Sequence, residues 1–369
     1  MRAPLPSSAG VVIVGGGIVG VSAAFHLAEA GVDVVLVERG ALGSGSTSKA
    51  AGGVRAQFSD ALNIAIAQRS LAAYKDFARR PGWEIDLHEV GYLFLLTRAE
   101  DVATFERSIA LQNELGVPSR LIGPEEAKAL CPLIEVDDVL AAAFSPEDGY
   151  ATPEAVVQGY ASGARALGAR FATGCEAHAI AVRGGEIAAV VTSSGTIRTG
   201  TVICAAGAWS RAVGELAGVD LPVSALRREV MFTEPMCDLP EQLPLTIDFE
   251  STFYFHREGP GLLFGMADPE RALEVVDRRA PRLANVGVQG GWAGFYDMSP
   301  DHNAIIGEAP HVSRFLYATG FSGHGFLQGP AAGELLRDLV LREPTFTDIA
   351  PLAVERFDGR PLIGEFNFV

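Results

Sequence analysis

The first clear signal in the pattern of apolar and polar positions is an unbroken apolar run, Val11–Val14. A run of strand length with no polar alternation predicts a strand buried on both faces, the habit of parallel sheets. Apolar residues then recur at Val21, Phe25 and Ala28, spacings of four and three, and Gly31 follows. That is a helix with one buried stripe and a glycine stop. Residues 32–37, VDVVLV, read as a second strand of the same buried kind, ended by Glu38. Together these predict one βαβ unit of about thirty residues.

Residues 43–53, GSGSTSKAAGG, lack large apolar groups and read as a loop. A helix is predicted from a cap at Ser59 to about residue 79, with Leu62, Ile66, Ala73 and Phe77 on one face and Pro81-Gly82 as its breaker. Beyond Trp83 the pattern predicts a strand at 91–97 and helices at 100–115, 124–130 and 153–167. It then gives strand texture at 169–182, a hairpin with a returning strand over 187–207, and a strand-rich stretch at 221–292. Strand FLYATG (315–320) leads into GFSGHGFLQGPAAGE (320–334), a glycine-crowded turn and then a helix.

Composition narrows the function classes. A formal net charge of −16 argues against a nucleic-acid partner, whose footprint is a basic patch. No run reaches the ~18 apolar residues of a membrane span. The N-terminal residues lack the apolar region of a signal peptide. Cys131, Cys175, Cys204 and Cys237 form no CxxC pair, so neither a zinc site nor a disulfide framework is expected. No metal site is expected, and a cytoplasmic location is.

The chemistry begins at Gly15, Gly17 and Gly20, a GxGxxG between the first strand and the first helix. The first glycine permits the tight turn, the second lets a pyrophosphate approach the backbone, and the third lets helix pack on strand. Ile18 and Val19 open the helix, whose free N–H groups and dipole attract phosphate. Glu38, 18 residues past the last glycine, is placed to accept from a ribose diol, with Arg39 beside it. Ser46, Thr47 and Ser48 suit a second wrap around the pyrophosphate, and Gly52-Gly53 suits close approach to a flat ring, which favours FAD over NAD. Ala206, Gly207 and Trp209, at the end of the returning strand, fit the same nucleotide.

These segments, with DMSPDHNAIIG (297–307) and GFSGHGFLQGPAAGE, resemble the FAD-dependent amine oxidases of the D-amino-acid oxidase-like superfamily. That family includes sarcosine oxidase, glycine oxidase and the β-type subunits of proline dehydrogenase. The resemblance implies an α/β fold: a Rossmann-type, glutathione-reductase-like FAD domain (1–85, 147–218, 300–369) and a discontinuous α+β substrate domain on a large mixed sheet (86–146, 219–299). It adds Ala177, Gly320, Gly323, His324, Gly325, Phe326, Leu327 and Gln328 to the cofactor set, with the helix near Gln328 aimed at the flavin.

The implied reaction is oxidation of the C–N bond of a secondary amino acid. Hydride passes to flavin N5, water hydrolyses the imine, and O2 reoxidises the flavin to give H2O2. A dehydrogenase with another acceptor and a non-catalytic flavin-binding subunit are the alternatives. Arg55 occupies the family position for a substrate carboxylate, and Arg228 and Arg257 are further arginines of the second domain. Tyr254 shares a strand face with His256 and is expected either at the substrate or in a sheet core. His324 is expected either to act on the flavin or to hold its loop. His26 is expected to be structural, while His88, His178 and His311 read as exposed or turn residues. Where sarcosine oxidases carry the cysteine of a covalent flavin this chain has Gly294, so FAD is expected to be non-covalent. Leu327 and Leu263 replace two lysines of those enzymes, which points to an amino acid with an apolar portion. Either a homodimer or a subunit of a larger oxidoreductase is compatible with this reading.

Overall fold

A computed structural model describes residues 4–359, 362 and 364–366. Val11–Val14 and Val34–Glu38 are parallel neighbours flanking the helix Ile18–Glu29, as the apolar runs predict. They sit centrally in a six-stranded sheet whose order is Ile305–Glu308, Phe315–Thr319, Val202–Cys204, Val11–Val14, Val34–Glu38 and Arg170–Thr173. Only Ile305–Glu308 is antiparallel to its neighbour. Both faces are covered: Ile18–Glu29, Pro153–Ala166 and Gly325–Leu341 pack on one, and the small sheet Ala177–Arg183, Glu186–Thr192, Gly195–Arg198 lies on the other. This double cover is why the strands are apolar without alternation.

The second layer is an eight-stranded mixed sheet. Its order is Val288–Met298, Ser224–Thr233, Gly261–Gly265, Phe253–Glu258, Leu245–Asp248, Tyr92–Leu96, Ala141–Ser145 and Arg120–Ile122. Residues far apart in sequence meet here, because strand Tyr92–Leu96 pairs in parallel with Leu245–Asp248. A buried ion pair ties this sheet to the helix Ala272–Arg279: Arg279 Nε donates to Asp248 Oδ2 at 2.6 Å, with Asp138 2.8 Å away.

Local expectations fail in instructive places. The helix predicted from Ser59 runs Ala61–Lys75, because Asp60 rather than Ser59 caps it. Asp60 Oδ1 accepts from the N–H groups of Leu62 and Asn63, while the Ser59 hydroxyl donates to Glu365. The strand texture at 169–182 divides into Arg170–Thr173 and Ala177–Arg183, which belong to different sheets. The helices Ala272–Arg279 and Pro281–Ala284 interrupt a stretch that reads as strand-rich.

Candidate functional site

The turn after Val11–Val14 leaves no room for side chains. A Cβ on Gly15 would lie 2.3 Å from the Ala205 carbonyl oxygen, and one on Gly20 would lie 2.0 Å from Gly15 O. Gly17 precedes the helix with no side-chain cap, and the first turn holds no acid. Thr47 Oγ1 accepts from the Ile18 N–H at 3.1 Å, tying the 43–53 loop to the helix start. Glu38 accepts from the N–H groups of Gly16 (2.8 Å) and Gly40 (2.7 Å), which fixes its carboxylate at the strand end.

These residues form one end of a cavity of ≈ 610 Å³ that runs on to the face of the eight-stranded sheet. Of the sequence-predicted residues, Gly15, Gly17, Ile18, Val19, Glu38, Arg39, Ser46, Thr47, Gly52, Gly53, Ala177, Ala206, Gly207 and Trp209 line it. So do Arg55, Tyr254, Gly323, His324, Gly325, Phe326 and Leu327. Arg39 lies over the Trp209 ring at 4.2 Å and closes the nucleotide end. The residues present fit FAD. First-turn N–H groups not taken by Thr47 suit a pyrophosphate, a fixed carboxylate suits a ribose diol, and small residues suit the backbone's approach to a ring.

Five predicted residues lie outside the cavity wall. Gly20 is spent on turn packing. Ser48 sits within the turn Thr47–Lys49. Gly320, with φ +68°, packs on Ile305 and Ser299. Gln328 is buried and donates to Asn63 Oδ1 at 3.0 Å. Arg257 is on the face opposite Tyr254 and donates to the carbonyls of Gly259 and Pro240. Leu263 is buried within the sheet, also outside the wall, so only Leu327 of the two leucines greases the cavity. The last helix starts at Gly325, three residues before Gln328, with His324 at its N-cap.

At the substrate end Arg55 is buried, its guanidinium over Phe58 at 4.3 Å and Phe94 at 5.4 Å. Nη1 donates to Gln57 O, and Nη2 lies 3.1 Å from His324 Nε2. A guanidinium can only donate, so His324 Nε2 accepts and its proton sits on Nδ1. Burial, and then the Arg55 charge, hold the His324 pKa well below the ordinary value. At neutral pH His324 is therefore a neutral imidazole that orients Arg55. Asp148, which accepts from the Ala56 N–H at 3.0 Å, is raised to about 7 by burial.

Sequence reasoning passed over Tyr92 and Tyr296 and ranked Arg228 low, yet all three line the cavity. Each cavity tyrosine rests against a glycine. A Cβ on Gly53 would fall 2.4 Å from the Tyr92 hydroxyl, one on Gly265 2.4 Å from the Tyr254 hydroxyl, and one on Gly323 2.7 Å from the Tyr296 ring. Burial raises the pKa of all three, so they stay neutral donors. Arg228 lies over Tyr296 at 5.8 Å. Arg228 and buried Val230, two residues apart on one strand, share the face that lines the cavity, but their spacing does not say what that face meets.

Among the described residues, no group of three or more His, Cys, Asp or Glu is placed to hold a metal ion, and no helix is long and apolar enough to cross a membrane.

The chain matches the DAO family, FAD dependent oxidoreductase, over residues 10–339. It is 29% identical to mitochondrial sarcosine dehydrogenase of Mus musculus, over 96% of this chain and 42% of the relative. It is 30% identical to mitochondrial dimethylglycine dehydrogenase of Rattus norvegicus, over 94% of this chain and 44% of the relative. The chain thus spans less than half the length of these curated relatives. Among solved structures it is similar to L-proline dehydrogenase from P. horikoshii, with TM-score 0.91, 33% identity and coverage of 96% and 99% of the two chains. Glycine oxidase from Geobacillus kaustophilus matches with TM-score 0.86, 25% identity and coverage of 95% and 99%. The chain belongs to the DAO family of FAD-dependent oxidoreductases, and FAD is its cofactor.

Proposed function

We propose that the protein oxidises the C–N bond of a secondary amino acid of the N-substituted glycine kind, with its carboxylate held by Arg55. The observation that carries this reading is the buried Arg55–His324 contact beside three tyrosines in one cavity wall. A planar guanidinium binds a carboxylate bidentately, and its burial strengthens that contact. His324 holds Arg55 in place. The tyrosine hydroxyls are donors for the carboxylate or partners for the substrate nitrogen. Leu245, Ile247 and Leu327 exclude water from the rest of the wall. Bound FAD supplies the two-electron acceptor that the protein's own side chains lack. Gly294 carries no nucleophile, and a Cβ there would fall 2.6 Å from Lys49 Cβ, which supports a non-covalent cofactor.

Molecular oxygen is the proposed final acceptor, giving hydrogen peroxide. Lys49, in the cavity wall with its ammonium 5.5 Å from the Trp292 ring, is a cation on that wall, and a nearby cation favours electron transfer to an acceptor becoming anionic. A second reading, transfer to a non-oxygen acceptor, is favoured by the names of the sarcosine, dimethylglycine and proline dehydrogenases among the similar proteins. Anaerobic mixing of the holoenzyme with glycine, sarcosine, proline and longer N-alkyl glycines tests the donor. Admission of air tests the acceptor. Bleached flavin that recovers within seconds, with stoichiometric peroxide, is expected. Flavin that stays reduced in air would replace oxygen with another acceptor.

A further inference from the structure

Arg228 is the cavity cation without an assigned task. It projects from strand Ser224–Thr233, directly opposite Gly294 and diagonal to Tyr296. The absence of a side chain at Gly294 makes room for Lys49, whose Cβ would lie 2.6 Å from a Cβ there. Among the described residues the Arg228 side chain has no hydrogen bond or ion pair, and its guanidinium lies over the Tyr296 ring at 5.8 Å. The adjacent Glu229 is engaged by Arg227. The acids of the cavity wall, Glu38, Glu176 and Asp297, form no ion pair with Arg228: Glu38 is held by two backbone N–H groups, and Asp297 accepts from the Phe321 N–H. Lys49 is turned onto Trp292 at 5.5 Å. Of the three arginines in the cavity wall, Arg39 lies at the nucleotide end, while Arg55 and Arg228 both act on Tyr296 through their charge. Charge of one sign focused in a low-dielectric cleft selects the opposite sign in a ligand.

We propose that Arg228 and Tyr296 form a second anion subsite, so that the preferred substrate carries two acid groups. Arg55 takes the α-carboxylate and Arg228 a carboxylate on the N-substituent or side chain. This deepens the function proposed above and rests on it for the word substrate. The subsite itself is a binding claim that stands or falls without turnover. A partly buried guanidinium making one new charge-assisted contact should be worth about tenfold in affinity.

The test titrates the FAD-loaded holoenzyme with succinate, glutarate and adipate, and with monocarboxylates of the same chain lengths, followed by flavin absorbance and calorimetry. Wild type should bind at least one diacid about tenfold more tightly than its monoacid. Arg228→Gln should erase that preference while leaving monoacid affinity within about twofold, and Arg228→Lys should keep part of it. Equal binding of diacids and monoacids by wild type would overturn the subsite even if no variant folds. Equal weakening of both ligand classes in Arg228→Gln, or loss of FAD from it, would also overturn it. If diacid preference holds while no amino acid reduces the flavin, the subsite stands and the proposed oxidation falls.

Discussion

The buried polar residues beneath the cavity set its behaviour with pH. Asp148 keeps its proton up to about pH 7 in the folded chain, whereas an unfolded aspartate releases it near pH ~4. The folded state therefore binds more protons in that window. The stability this group contributes is fully present below about pH 4 and is lost as pH rises through about 7. Asp148→Asn keeps an acceptor for the Ala56 N–H and removes the titration. Thermal scans at pH 5 and pH 8 should show the variant gaining on wild type at the higher pH, and parallel behaviour at both would contradict the assignment. The glycine fingerprint, Glu38 and Arg55 were legible in the sequence because each has a local spacing or motif. Tyr92 and Tyr296 were not, because their role depends on which glycine lies opposite, and Gly53 and Gly323 come from distant segments.

Among elements, the large sheet and the helix Ala272–Arg279 are joined by a buried ion pair as well as by a shared apolar core. Asp248 and Arg279 are both almost fully buried and contact at 2.6 Å. Removing one partner strands the other in a low-dielectric site, at a cost of about 3–5 kcal/mol. Asp248→Ala should sit near the lower figure because Asp138 also reaches Arg279. A paired Asp248→Leu, Arg279→Met variant should recover much of the loss. Denaturant unfolding of both variants measures this, and an unperturbed single variant would refute the ion pair's contribution. Element existence was readable from periodicity: the βαβ unit and the helices Ala99–Glu114, Pro124–Leu130 and Pro153–Ala166 stand where the pattern puts them. Boundaries depended on side-chain competition. Ser59 and Asp60 are both capping residues, and tertiary contact with Glu365 decides between them. The split at 174–176 was invisible because two strands of similar texture pair with different sheets.

For the whole molecule, the cavity exists only because segments from both layers converge on it. The Rossmann turn supplies the nucleotide end, and the eight-stranded sheet supplies Arg228, Tyr254 and Tyr296. FAD binding only to the folded state would stabilise it by mass action, so holoenzyme should melt above apoenzyme by a margin that grows with the logarithm of free FAD. Acid precipitation should leave all flavin colour in the supernatant, since Gly294 offers no point of attachment; colour in the pellet would contradict it. The overall plan was legible because motifs near each end of the sequence, GGGIVG and GFSGHGF, announce one ligand. The shape of the substrate end was not, because it is a property of sheet register between strands about 150 residues apart, as Tyr92 opposite Leu245 illustrates.

The most direct measurement is stopped-flow reduction of the FAD-loaded protein without oxygen, comparing an N-alkyl glycine with its uncharged amide, in wild type and Arg55→Ala. Rapid bleaching by the acid is expected in wild type, with an apparent Kd raised about a hundredfold in the variant, which retains its FAD. Little response to the amide is expected in either protein. Equal reduction by acid and amide, or no bleaching by any secondary amino acid, would contradict carboxylate-directed oxidation.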